Sequence, residues 1–276
     1  MNKYIKSPLN YTGGKYKLLH QILPLFPKEI DTFYDLFCGG LNVSINVNAD
    51  KYIANDLNTQ IINLYKWFIS KDKDSIFNEI LNKSNEYRLQ DKIKDNYLQL
   101  RNDYNTNKSD LLFYLLITTS FSNQIRFNKK GEFNISFGDR YFNPTMQENL
   151  KQFLNKLESI DISFTNTDFK QIDINNLTNN DFVYIDPPYL ISTATYNENG
   201  GWTQKDDLDL MQLCDNLNNK NIKFAMSNVL EHKGKTNDTL INWSKKYNVN
   251  HLNYTYNNCN YHSNKGNSDE VLIYNY

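Results

Sequence analysis

The chain has 276 residues, 39% of them hydrophobic and 22% charged, with a formal net charge of −1. That balance predicts a folded α/β domain, alone or with an insertion, and excludes a disordered chain. No apolar run approaches the roughly 20 residues that span a bilayer. Cys38, Cys214 and Cys259 are too scattered for a disulfide framework or a CxxC metal site.

The N-terminus, MNKYIKSPLNYTGGK, has no apolar signal core, so a reducing cytoplasm and no membrane association are expected. Residues 15–26 carry apolar residues at helical spacing, with Pro24 and Pro27 as the stop. Residues 32–37 read as a buried strand, followed by Gly39-Gly40, a helix from about Asn42, and a second short strand at 51–56 that ends in an acid. Strand, glycine turn, helix, strand and acid together make the first half of a nucleotide-binding α/β sheet. Residues 58–120 read as mostly helical, and 121–142 read as a β-hairpin around Lys129-Lys130-Gly131. A helix at about 145–158 follows, after which strand patterns return as DISFTN, DFVYID, KFAMSN and EVLIYNY. Residues 58–158 are therefore expected to be an insertion between the two parts of a sheet domain, 1–57 and 159–276.

The sharpest chemical signal is NNDFVYIDPPY. Two prolines cannot extend a central strand because they have no N–H to donate, so they fix a stiff turn at its carboxyl end, where open α/β sheets hold ligands. That turn presents the Asp186 carboxylate, the Pro187 carbonyl and the Tyr189 ring together. Two acceptors and a stacking face are what a planar exocyclic amine needs. The segment Phe33 to Gly40 places glycines just after a strand, where backbone can approach a ligand; alone it equally suits an ordinary loop. Asp56, about 20 residues beyond Asp35, suits an acceptor for ribose hydroxyls, or else a cap of the following helix. Tyr11-Thr12-Gly13-Gly14-Lys15 lacks the spacing of a triphosphate loop but could bring Lys15 near an anion. The histidines His20, His232, His251 and His262 have no metal-like spacing, so no metal is expected.

The order YTGGK, DLFCGG, insertion, DPPY resembles the Dam-type, D12 class of DNA adenine-N6 methyltransferases over nearly the whole chain. NQIRFNKKGEFNISFG is similar to that family's DNA-reading hairpin, and EVLIYNY to its last strand. The resemblance implies a Rossmann-like class I methyltransferase sheet with a mostly helical, hairpin-bearing inserted DNA-recognition domain. It implies S-adenosyl-L-methionine as cofactor, with Tyr11, Gly13 and Lys15 at the methionine end, and Asp35, Phe37, Gly39 and Gly40 along the turn. Asp56 would take the ribose, and Asp168 and Phe169 the cofactor adenine. Asp186, Pro187 and Tyr189 would hold an adenine flipped out of double-stranded DNA. Arg126 would read a guanine, with GATC the leading site; no obligatory protein partner is expected, and a cognate restriction endonuclease, a gene-regulatory role and a phage origin all stay open. Gln124, Lys129, Lys130, Ser136 and Lys265 complete the expected DNA contacts. Leu41 stands where the family often has a third glycine, and Ser136 where it often has proline. Methyl transfer to RNA adenine, cytosine N4 or protein glutamine, and DNA binding without catalysis, are the rival expectations.

Overall fold

The computed structural model describes residues 4–191, 201–253 and 268–276. It divides into two compact units, one built from residues 1–16, 39–46 and 58–166, the other from 17–38, 47–57 and 167–276. The inserted block thus gathers the N-terminal segment and the glycine turn to itself, a finer division than the linear one read from the sequence.

The second unit is a sheet domain. Its strands are β1 (Thr32–Asp35), β2 (Lys51–Asn55), β4 (Phe182–Ile185), β5 (Lys223–His232), β6 (Lys235–Thr236), β7 (Asn248–Leu252) and β8 (Ser268–Tyr274); β3 (Asp161–Thr165) is assigned to the other unit. The order runs β2-β1-β4-β5-β8-β7, with β6 paired to β5. β2, β1, β4 and β5 are parallel, and β8 and β7 close the sheet antiparallel. From β1 the chain moves outward to β2 on one side and to β4 and β5 on the other, which makes the carboxyl ends of β1 and β4 a topological switch point. Asp35 pairs in register with Tyr184, two residues before Asp186.

β4 is buried on both faces, as central parallel strands are. Val183 and Ile185 face a core shared with Phe224, Met226, Val271 and Ile273 and with helix α7 (Gln204–Asn219), which contributes Leu210, Met211, Cys214 and Leu217. Phe182 and Tyr184 alternate to the other face, against the ring of Phe26 at 4.7 and 5.4 Å. A capping box of Thr203 and Asp206 starts α7. A short helix, α8 (Asp238–Ser244), is capped by Asn237.

Two helical expectations are corrected. Residues 15–26 form only one α-turn, α1 (Leu19–Ile22), between two 3₁₀ turns, because Pro24 lacks a donor one turn in. The helix from Asn42 is a single 3₁₀ turn, Ser44–Asn46. There the side chains of Asn42 and Asn46 bind the backbone of Ser7 and Ile5, which competes with helical pairing.

The first unit is mostly helical: α2 (Thr59–Phe68), α3 (Lys73–Glu86), α4 (Lys94–Asn107), α5 (Asp110–Thr119) and α6 (Pro144–Glu158). Asn58, Asp72 and Asn143 cap α2, α3 and α6. Tyr65, Phe68, Tyr114 and Phe153 form its aromatic core. The expected hairpin reverses the chain as predicted but with two isolated bridges, Ser120 to Phe137 and Phe127 to Phe133, in place of regular strands. Phe127 and Phe133 pack on Tyr104 of α4 and Phe113 of α5. The Asn105 amide binds both the N–H and the carbonyl of Phe133, and the Tyr97 hydroxyl donates to the Ile135 carbonyl at 2.7 Å. The reversal is therefore held by α4 instead of by a sheet ladder. Gly138 closes it: a Cβ there would lie 2.3 Å from the Ser120 carbonyl oxygen.

Candidate active site

In the sheet unit the site residues stand at strand ends. Asp35 ends β1 and is 2% exposed. Leu36 continues from it by donating its N–H to the Tyr184 carbonyl, and the Cys38 N–H donates to the Asn55 carbonyl at the end of β2. Phe37 thereby projects from a turn fixed at both sides. Burial, with Asp56 and Asp35 nearby, pushes the Cys38 thiol well above its ordinary range, so it is an inert core group.

Asn55 was not among the expected residues, yet its buried amide ties three pieces together. It donates to the Leu36 and Thr167 carbonyls at 3.1 and 2.9 Å and accepts from the Thr167 N–H at 3.0 Å. The next residues after Thr167 are Asp168 and Phe169, so Asn55 sets the segment that presents them. Asp168 accepts from the Lys170 N–H at 3.0 Å and caps a 3₁₀ turn. Phe169 is buried, with its ring 5.6 Å from that of Phe37. The cap of α2 is Asn58, which removes the capping alternative for Asp56.

Trp202 joins the two phenylalanines, 5.6 Å from Phe37 and 5.4 Å from Phe169. Its indole N–H donates to Asp207, which also accepts from the Asn237 amide at 2.7 Å. The sequence of the polar segment 192–203, with Gly200 and Gly201 near its end, suits a loop that closes over a bound base. Residues 192–200 lie outside the described residues, and Trp202 at the far end is anchored on this aromatic pair. A Gly-Gly-Trp following a polar stretch was the available signal, since Trp is buried on average.

At the end of β4, Pro187 is buried and Asp186, Pro188 and Tyr189 are half-buried. The Tyr189 hydroxyl lies 3.1 Å from Asp186 Oδ1 and 3.0 Å from Glu270 Oε1 on β8. Burial and these two carboxylates hold the Tyr189 phenol well above its ordinary pKa, so it is a neutral donor. Tyr184, behind it, shares a hydrogen bond with the Ser227 hydroxyl at 2.8 Å, and burial raises its pKa as well.

In the helical unit, Tyr11 packs on the glycine turn. Gly39 has φ of +44°, and a Cβ there would come within 2.8 Å of the Tyr11 ring. The room these glycines leave is thus taken by a side chain of this same unit. Leu41, at φ +59°, holds the left-handed conformation that glycine adopts freely, at a cost of roughly 1–2 kcal/mol. Lys15 is buried and donates to the Gly13 carbonyl at 2.9 Å.

On the hairpin, Gln124, Arg126, Lys129, Lys130 and Ser136 are all exposed. The Arg126 guanidinium donates through Nε to Asn134 Oδ1 at 3.0 Å. Phe121, 57% exposed, opens the hairpin beside the left-handed Ser122 and Asn123. The expected contact Lys265 lies outside the described residues. Among the described residues no group of three His, Cys, Asp or Glu side chains could hold a metal ion, and no helix is long and apolar enough to cross a membrane.

The family described as D12 class N6 adenine-specific DNA methyltransferase matches residues 11–265. The chain belongs to this family. It is 48% identical over 282 residues to modification methylase StsI of Streptococcus sanguinis, a match covering 99% of this chain and 43% of that protein. It is 44% identical over 281 residues to type II methyltransferase M.FokI of Planomicrobium okeanokoites, covering 100% of this chain and 43% of that protein. With type II methyltransferase M.MjaIII of Methanocaldococcus jannaschii the identity is 31% over 248 residues, covering 81% of this chain and 84% of that protein. The chain therefore spans less than half the length of StsI and M.FokI. The mostly parallel sheet is the Rossmann-like sheet expected of a D12 methyltransferase.

Proposed function

We propose that this D12 family member transfers a methyl group from S-adenosyl-L-methionine to N6 of an adenine flipped out of a short duplex DNA site, as the modification half of a restriction system. The observation that supports this reading is the turn at the end of β4, at the switch point, where the Tyr189 hydroxyl lies 3.1 Å from Asp186 Oδ1. A stacked, paired adenine cannot reach such a turn, so it must leave the helix at a cost of a few kcal/mol. Stacking on Tyr189 offsets part of that cost. Asp186 and Pro187 accept the two N6–H bonds, which orients the amine and raises electron density on its nitrogen.

The residues present suit the cofactor. Phe37, Phe169 and Trp202 offer aromatic faces for an adenine, while Asp56 and Asp168 offer acceptors for ribose hydroxyls and an exocyclic amine. Tyr11, Gly13, Lys15, Asp35, Gly39 and Gly40 are assigned to the methionine end and the turn. When bound, S-adenosyl-L-methionine supplies an electrophilic methyl group on a sulfonium. Asp56→Ala and Asp168→Ala are each expected to weaken binding of S-adenosylhomocysteine by roughly 1.5–3 kcal/mol, the worth of a hydrogen bond to a charged group. Titration calorimetry checks this, and unchanged affinity in both variants takes these carboxylates out of the cofactor site.

Methyl transfer from labelled cofactor, offered to duplex DNA, RNA and protein in parallel, tests the function. Label in N6-methyladenine of DNA is the expected result. Label in cytosine, RNA or glutamine, or in nothing, overturns it. GATC duplexes are the first to try, followed by a plasmid library. Arg126, Gln124 and Ser136 are assigned to base edges, and Lys129, Lys130 and Lys265 to phosphates.

A further inference from the structure

Two carboxylates meet one phenol proton in the sheet unit. The Tyr189 hydroxyl has Asp186 Oδ1 at 3.1 Å and Glu270 Oε1 at 3.0 Å, and it can donate fully to only one of them. In the reaction proposed above, Asp186 turns its acceptor capacity to the N6 amine. The phenol and the amine then draw on the same carboxylate, and an acceptor outside that pair keeps the phenol bonded however Asp186 turns toward the amine. Glu270 is in place for that exchange. Its backbone is fixed between two strands, opposite Val229 on β5 and Leu252 on β7. The register of β5 slips between Val229 and Glu231, directly across from Glu270, and irregularities of this kind re-aim side chains beside active sites.

We propose that Glu270 is a positioning residue: it takes the Tyr189 hydroxyl when Asp186 engages the target amine, and so keeps the Tyr189 ring at the angle that stacks on the base. This rests on the proposed function. A side chain that turned with the base would lose the stacking face at the moment of transfer. Asp186 and Glu270 thus divide the work between them, one serving the substrate and the other the ring.

The test is a double-mutant cycle of Glu270→Ala with Tyr189→Phe, with Glu270→Gln as the conservative variant. Single-turnover methylation, DNA affinity, and fluorescence of 2-aminopurine at the target position are measured for each protein. Glu270→Ala is expected to slow the single-turnover step by about tenfold, with DNA affinity nearly unchanged. Glu270→Gln, whose amide oxygen still accepts the phenol proton, recovers most of the rate. Tyr189→Phe is slowed similarly, and adding Glu270→Ala to it slows it no further. The 2-aminopurine signal should show the base still leaving the helix in Glu270→Ala but stacked less fully, so its emission rises above that of the wild type. Additive losses in the double variant, or a Gln variant as slow as Ala, would mean that Glu270 does not act through the hydroxyl, and the proposal falls. Thermal melts of the same proteins separate misfolding from misplacement. A wild type that transfers no methyl group to adenine fells the proposed function and this role with it, whereas an active wild type with additive losses refutes Glu270 alone.

Discussion

Asp186→Ala should leave a folded protein that methylates DNA about 10²–10³-fold more slowly in a single turnover, the usual loss when one preorganised partner of a transition state is removed. The carboxylate sits past the last residue of β4, half-exposed. The strand itself is held by parallel pairing to β1 and β5. Removing it also does not orphan the Tyr189 phenol, because Glu270 stands 3.0 Å away. The melting temperature should therefore move by only a few degrees, in keeping with a loss of about 1 kcal/mol or less. Asp186→Asn should fall between Ala and wild type, since its amide oxygen still accepts one N–H. Single-turnover kinetics and thermal melts on the three proteins check this. A near-normal rate for Asp186→Ala would refute the chemistry assigned to the turn.

The turn was legible because proline is unambiguous: an apolar strand that runs into Pro187-Pro188 must stop, and the side chains beside the stop are then placed. Glu270 was not legible. Within EVLIYNY it is an acid at a strand's start, indistinguishable from a solvated edge residue, and its partner lies 81 residues away in sequence. Asn55 was hidden similarly. In KYIAND the acid draws attention, while the neighbouring amide does its work through bonds to Thr167, 112 residues on. The helices α2 to α6 were legible as a helical region because their apolar stripes repeat locally. The turn at 44–46 was misread as a helix because the bonds that break it come from Ile5 and Ser7. Helix α7 had its signals in plain view, a Thr203–Asp206 capping box and apolar residues at 210, 211, 214 and 217. What local sequence shows is periodicity and hard stops; what it conceals is polar pairing between distant segments.

Arg126→Ala should cost about 1–3 kcal/mol of discrimination at one base pair, the worth of a bidentate contact to guanine O6 and N7. The motive is the geometry of the hairpin. Phe127, next to the arginine, is anchored on Tyr104 and Phe113, so the backbone at 126 is held by the packed helices. Asn134, across the reversal, donates its N–H to the Arg126 carbonyl and accepts from the guanidinium Nε at 3.0 Å. An exposed arginine is thereby held at one edge of its guanidinium, and less freedom remains to be lost when the fork meets a base. Lys129 lies at the reversal, two residues before Gly131 with φ +72°, and is exposed. Lys129→Ala should weaken binding to all sequences alike and lower the salt dependence by about one ion. Asn134→Ala should mimic Arg126→Ala in part, because it releases the held edge without removing the fork. Methylation mapping of a plasmid library at single-base resolution, with binding measured across a salt series, distinguishes the three. If the modified adenines share no fixed guanine, or if Arg126→Ala keeps the site preference intact, the hairpin is not the reading element, and the recognition must be sought elsewhere in the chain.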